Sequence, residues 1–251
     1  MSDELLSFRS VSKKYSLPHG GGSLIKGLFG LTRDADFWAL QDIDLTIAAG
    51  ERVAIVGPNG AGKTTLLKIA AGITTPSSGR VRVTGRVASL IHLEAGFHPD
   101  LTGEENILLN GLLLGMSKAE IVEKRQRIIA FADIGQFIDS PLYTYSDGMK
   151  FRLAFAVAVA SECDLLLMDE LFITGDLEFQ YKTAQFIRAT QRRNQKMASI
   201  VCSHRPVFIR SFATTFYALD KGRMRRVSPQ HIEKMITLNN RRWRSAFGVP
   251  A

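Results

Sequence analysis

The stretch RVAIVGPNGAGKTTLLKIAA, residues 52–71, decides the architecture of this 251-residue chain. It opens on RVAIV, a β-branched apolar run that reads as a buried parallel strand. It closes on TLLKIAA, an apolar helical run stopped by Gly72. Between them GPNGAGKT, residues 57–64, fits the pattern G-x-x-x-x-G-K-[ST] in the strand–loop–helix context that gives the pattern a mechanism. Glycines let the loop curl until successive N–H groups surround phosphate oxygens. Lys63 is placed to neutralise the outer phosphates and Thr64 to offer its hydroxyl to Mg²⁺. The expected binding set is Gly57, Pro58, Asn59, Gly60, Ala61, Gly62, Lys63, Thr64 and Thr65, and the expected ligand a nucleoside triphosphate.

A second apolar run, LLLMDE at residues 165–170, ends in two carboxylates. A buried strand delivers Asp169 to the carboxyl edge of the sheet, where ligands bind in open α/β folds, and makes it a partner of Mg²⁺, in direct contact or through a group bound to the ion. Glu170 is placed to take a proton from an attacking water. A third run, MASIV, leads into Cys202-Ser203-His204, so His204 emerges at the same edge and can reach a terminal phosphate.

Outward from these runs, strand and helix patterns alternate. Residues 6–11 read as a strand, 16–36 as loop, and ALQDIDLTI, from residue 39, as a second strand. RVRVTGRVASL, after a turn at residues 75–79, reads as further strands. Thr102 with Glu105 and Ser117 with Glu120 have capping-box form, each before an apolar-rich helical run. Residues 177–193 read as a helix, and Ser228-Pro229 opens a last one. The expected fold class is α/β with a mainly parallel sheet and a helical insert over roughly residues 97–160.

Composition narrows the classes. The formal charge of +8 permits contact with nucleic acid or an anionic membrane face without choosing between them. Lys221, Arg223, Arg225, Arg226, Lys234, Arg241, Arg242 and Arg244 carry much of it late in the chain. Cys163 and Cys202 sit in apolar surroundings and form no CxxC pair, which argues against a metal or disulfide framework. No apolar run approaches the ~20 residues of a membrane helix, and the acidic start MSDELL has no signal-peptide pattern.

One stretch remains to be explained. TYSDGMKFRLAFAVAVA, residues 144–160, is a short apolar helix that opens on Ser146-Asp147-Gly148. Such a cap leaves backbone N–H groups facing outward, a place to hold an anion.

With these parts in order, the sequence resembles the ATPase subunit of an ABC transporter over about residues 5–227. GPNGAGKT is similar to the Walker A motif, LLLMDE to Walker B with its catalytic glutamate, and YSDGMKFRL to the signature motif. His204 resembles the switch histidine and Asp176 the D-loop aspartate. Tyr15 matches the aromatic that stacks on adenine, with Trp38 a second candidate. The resemblance implies ATP and Mg²⁺ as cofactors, Glu170 and His204 as catalytic residues, and Thr64 and Asp169 as metal ligands. It also implies an antiparallel homodimer in which Ser146, Asp147, Gly148 and Met149 complete the partner's nucleotide site. The fold it implies is a P-loop NTPase of the ABC type: a mainly parallel sheet, an antiparallel β subdomain and the helical insert. Residues 1–230 are expected to form that domain, and 231–251 a short basic helix or tail, with no carbohydrate-binding domain.

The chain departs from the family's common pattern. YSDGM stands for LSGGQ, the Q-loop glutamine is missing near His92 and Glu94, and ELFITGDLEFQ stands for the more usual SALD. Together with AGFHPDLTGEEN these traits resemble the exporters of capsule, O-antigen and teichoic acid. They imply a separate transmembrane permease that handles a lipid-linked polysaccharide, a peripheral place on the cytoplasmic face of the bacterial inner membrane, and no nucleic-acid partner. A soluble ABC-type ATPase acting on nucleic acid or ribosomes is the alternative.

Overall fold

Every strand in the middle of this sheet is apolar on both faces, and the packing follows from that. The computed structural model describes residues 4–17, 35–91, 96–169, 177–202, 213–232 and 234. Among them β3 (Arg52–Val56), β5 (Val87–Ser89), β6 (Leu165–Met168), β7 (Ala198–Cys202), β8 (Thr215–Asp220) and β9 (Arg223–Val227) form a six-stranded sheet in the order β5-β6-β7-β3-β8-β9. All neighbours are parallel except β8 and β9. A second, antiparallel sheet joins β2 (Ala35–Ala48), β1 (Glu4–Leu17) and β4 (Ser78–Val83).

Alternation along the strands sorts the core into two layers. Val53, Ile55, Leu165, Leu167, Ile200 and Cys202 face helix α1 (Lys63–Ala70) and the antiparallel sheet. Ala54, Val56, Leu166, Met168 and Val201 face α4 (Asp147–Ala160) and α5 (Leu177–Arg193). Both cysteines are buried in these layers, as their apolar neighbours imply.

The insert between β5 and β6 holds α2 (Gly103–Leu113), α3 (Lys118–Ala132), two short 3₁₀ turns at Gly135–Asp139 and Leu142–Thr144, and then α4. Its own core gathers Ile107, Ile121, Ile128, Leu142, Tyr145, Leu153 and Val157. Helix α4 therefore serves two cores: Phe151, Phe155 and Ala158 meet the sheet, while Leu153, Ala156 and Val157 meet α2 and α3. A helix apolar on all sides is one buried on all sides.

Strands β1 and β2 are longer than the sequence pattern suggests. Residues 16, 17, 35 and 36, read above as loop, extend the hairpin, with Ser16 opposite Asp36 and Leu17 opposite Ala35. Register shifts between Phe8 and Lys14 break the two-residue alternation on which the sequence reading depends. The last helix begins as expected, with residues 229–232 helical and Ile232 buried.

Both expected capping boxes form. Thr102 accepts from the Glu105 N–H and Glu105 from the Thr102 N–H; Ser117 and Glu120 do the same. The Glu120 carboxylate also meets Arg86, just before β5, at 3.3 Å, which ties the insert to the sheet. The Ser117 N–H first, then its hydroxyl and Arg86, hold the Glu120 carboxyl down to about 2, from an ordinary 4.5. A carboxyl lowered in the folded state stabilises above its unfolded pKa and loses that effect as pH falls through the folded one. The difference in thermal midpoint between the native chain and Glu120→Gln should thus be full at pH 6 and shrink as pH falls from 4.5 towards 2. A difference independent of pH would assign the effect to packing alone.

Candidate functional site

The loop of residues 57–62 begins where β3 leaves the sheet beside β8, and it is shaped by two close approaches. A Cβ on Gly57 would run into the Leu219 carbonyl of β8, and one on Gly62 into the Ala39 carbonyl of β2. Gly62 also stands at φ 108°, where a side chain is strained, and it is the N-cap of α1.

The cap residues of the four fully described long helices differ in one respect. Thr102, Ser117 and Ser146 accept a helix N–H on their side-chain oxygens, whereas Gly62 has no oxygen to offer. The first-turn amides of α1 are therefore left for an anion from outside. Lys63 is 6% exposed, and its Nζ donates to the carbonyls of Gly57 at 2.8 Å and Pro58 at 3.0 Å. These bonds hold a buried ammonium against the loop. A glycine cradle, open amides and a fixed cation form a donor set suited to the phosphates of ATP.

The second element arrives from β6. Thr64 Oγ1 donates to Asp169 Oδ2 at 2.7 Å, and Asp169 is 5% exposed. A hydroxyl and a buried carboxylate meeting at the head of the loop are hard oxygen donors, the chemistry Mg²⁺ takes. Around them lies a cavity of about 480 Å³ lined by Tyr15, Phe37, Asn59, Lys63, Thr64 and Asp169, with Gly60, Gly62 and Thr65 on its floor.

The hairpin supplies an aromatic rim. Tyr15 pairs with Phe37 across β1 and β2, and both line the cavity. Trp38, the second stacking candidate, is one residue out of phase. It pairs with Lys14, whose Nζ lies 5.9 Å from its ring centroid, and it does not line the cavity. The sequence reading missed Phe37 because the bulges in β1 hide which parity faces the loop.

The signature residues stand elsewhere. Ser146 caps α4, accepting from the Met149 N–H at 3.3 Å, and Ser146, Asp147 and Gly148 are exposed. A Cβ on Gly148 would meet only Ser146 Oγ, at 3.9 Å. Met149 occupies the third helical position and has no acceptor to return to the cap, so this cap is one-sided. None of the four residues lines the cavity around Lys63. Glu170, Asp176, His204, His92 and Glu94 lie outside the described residues. Gly96 and Phe97 are described, and Phe97 packs against the insert's core.

This fold, with its glycine loop at the carboxyl edge of the sheet, defines a P-loop nucleotide-binding ATPase. A family model described as ABC transporter matches residues 40–172. The O-antigen export system ATP-binding protein RfbB of Klebsiella pneumoniae is 43% identical over 198 residues, 76% of this chain and 80% of that protein. The teichoic acids export ATP-binding protein TagH of Bacillus cereus is 37% identical over 221 residues, 88% of this chain but 40% of its own length. A solved ATP-binding cassette, described as a dimeric post-hydrolysis state bound to ADP and Pi, has the same fold, with a TM-score of 0.70 at 20% identity. That likeness covers 89% of this chain and 99% of the other. The chain belongs to the ABC transporter family as an ATP-binding subunit, and is related to the ATPases of O-antigen and teichoic-acid export.

The cradle makes a stability prediction of its own. Gly62→Ala should cost about 1–3 kcal/mol, read as a lower urea midpoint, because the methyl meets both an unfavourable φ and a carbonyl. An unchanged midpoint would show that the loop relaxes around it.

Proposed function

We propose that this chain is the ATP-hydrolysing subunit of an ABC exporter that drives a polysaccharide across the bacterial inner membrane. The cargo is of the O-antigen or capsular type and is lipid-linked. The observation that carries this reading is the 43% identity to an O-antigen export ATP-binding protein over three-quarters of the chain. The departures at residues 145–149 and 91–106 lend support. Among the described residues no helix is long and apolar enough to cross a membrane. In this reading the path for the glycan belongs to a separate permease. Helix α2 presents Leu108, Leu112 and Leu113 to solvent, and with residues 96–100 they make a surface fit for that subunit's cytoplasmic helices. The subunit then sits at the cytoplasmic membrane face.

In this reading the free amides between residues 59 and 65, with Lys63, bind the phosphates of ATP, and Tyr15 with Phe37 holds the base. Thr64 and Asp169 hold Mg²⁺. Bound MgATP supplies a phosphoanhydride whose terminal group is activated for attack by water. Glu170 takes the proton of that water, and His204 holds the terminal phosphate in place. The exposed Ser146 cap lies away from its own chain's cavity, so its free amides serve the site of a second copy in a two-fold dimer.

Two variants test the division of labour. Glu170→Gln should accumulate an ATP-bound dimer with turnover lowered at least a hundredfold, within the usual range for a general base. Wild-type hydrolysis would remove Glu170 from that role. Ser146→Arg should abolish ATP-driven dimerisation, seen by sedimentation, while the monomer keeps its affinity for ATP. For the cargo, deleting the gene should leave an undecorated cell surface and a lipid-linked glycan inside; normal surface glycan would overturn the export reading.

A further inference from the structure

The cap at Ser146 is held from behind by a hydrogen-bonded block. Residues 140–145, which lead into α4, run beside residues 98–103, which lead into α2. The Leu142 N–H donates to the Leu101 carbonyl at 2.9 Å, the Tyr143 N–H to Pro99 at 2.9 Å, and the Gly103 N–H to Ser140 at 3.2 Å. Thr102 and Pro141 form an isolated antiparallel bridge at the same place.

The α2 side of this block is pinned by Asn106, which is fully buried. Its Oδ1 accepts from the His98 N–H at 2.8 Å. Its Nδ2 faces the carbonyls of His98 at 3.0 Å, Leu101 at 3.0 Å and Thr102 at 2.9 Å. A buried carboxamide satisfied on both sides resists distortion, because any displacement leaves a desolvated polar group without its partner.

Tyr145 closes the block on the α4 side. Its ring lies in the insert's core, edge-on to Phe137 with centroids 6.4 Å apart. Its hydroxyl donates to the Phe137 carbonyl. Gly103, the first residue of α2, leaves the space that this hydroxyl fills, since a Cβ there would collide with the phenolic oxygen. Burial, and then the nearby Asp139 carboxylate, push the phenol up to about 12, against a smaller opposing effect from the Gly103 N–H. The group is therefore a protonated donor throughout the neutral range. The next residue in the chain is Ser146.

We propose that Tyr145 is a positioning residue for ATP turnover. Its hydroxyl locks the Ser146 cap to the block of residues 98–103 and 137–145, so that cap and block move as one body. The inference rests on the reading of Ser146 as a group that serves the partner's nucleotide. Packing alone would ask only for a ring of this size. The hydroxyl adds a fixed angle between the core of the insert and the first turn of α4, which an apolar side chain cannot set.

The test uses the full chain with MgATP and three proteins: native, Tyr145→Phe and Ser146→Arg. Tyr145→Phe keeps the ring and removes only the donor. Its kcat should fall about tenfold, the upper end of what losing one intramolecular hydrogen bond costs; the Phe137 carbonyl keeps the Ser140 N–H at 2.9 Å. Binding of a fluorescent ATP analogue at monomer concentrations should stay within about twofold, and amide exchange over residues 145–150 should quicken about tenfold, the same scale. Native turnover and exchange in Tyr145→Phe, beside a Ser146→Arg chain that has lost turnover, would overturn the positioning role and leave the cap's role intact. Native turnover in Ser146→Arg would overturn both, since the cap would then have nothing to position.

Discussion

The bond between Thr64 and Asp169 depends on nearly everything else in the fold being right. The two residues are 105 positions apart in the chain and meet at 2.7 Å. They do so because β3 and β6 both pair with β7, so that Ile55 lies opposite Cys202 and Met168 opposite Val201. A slip of one residue in either pairing would exchange that strand's side chains between the two cores, upset the packing of both and separate hydroxyl from carboxylate. The strands cannot slip cheaply, because each is sealed between two apolar layers. The polar pair is thus fixed by apolar packing at a distance from it. Burial keeps the site in place, and the site contributes little to burial.

The same logic explains α4. Beyond Arg152 its sequence carries no polar side chain, because one side meets the sheet and the other the insert. Its N-terminus is its most exposed part, and there the chain places Ser146, Asp147 and Gly148. Rigid burial along the body and exposure at one end make the helix a mount for its own cap. The loop at Gly62 is the complement, a helix start with no side-chain acceptor. One chain therefore carries two helix N-termini of opposite kind, one capped and outward, the other uncapped and inside a cavity.

How much of this could be read from the sequence depended on whether a local pattern survives tertiary packing. The run of residues 52–71 and the strand before Asp169 were legible because continuous apolar runs and a fixed glycine spacing need no phase. Both capping boxes were legible for the same reason, and both formed as read. Phe37 was not, because its visibility depends on strand parity. Register shifts between Phe8 and Lys14 reset that parity where the sequence gives no sign. Asn106 was hidden for another reason: a polar residue inside a helix reads as surface, and only the returning carbonyls of His98, Leu101 and Thr102 reveal it as a pin.

The basic balance of the chain left its meaning open, and the sheets account for part of it. Strand β4 is an open edge of the antiparallel sheet and carries Arg80 and Arg82; β9 is an open edge of the parallel sheet and carries Arg223, Arg225 and Arg226. All five are exposed. An open edge offers unpaired backbone groups to any passing strand, and charged side chains placed along it discourage that pairing. Arg9 lies directly opposite Arg80, a like-charge neighbour that would weaken an interior pair and is tolerable where water screens both. For these five arginines, protection of the two edges is a sufficient structural role.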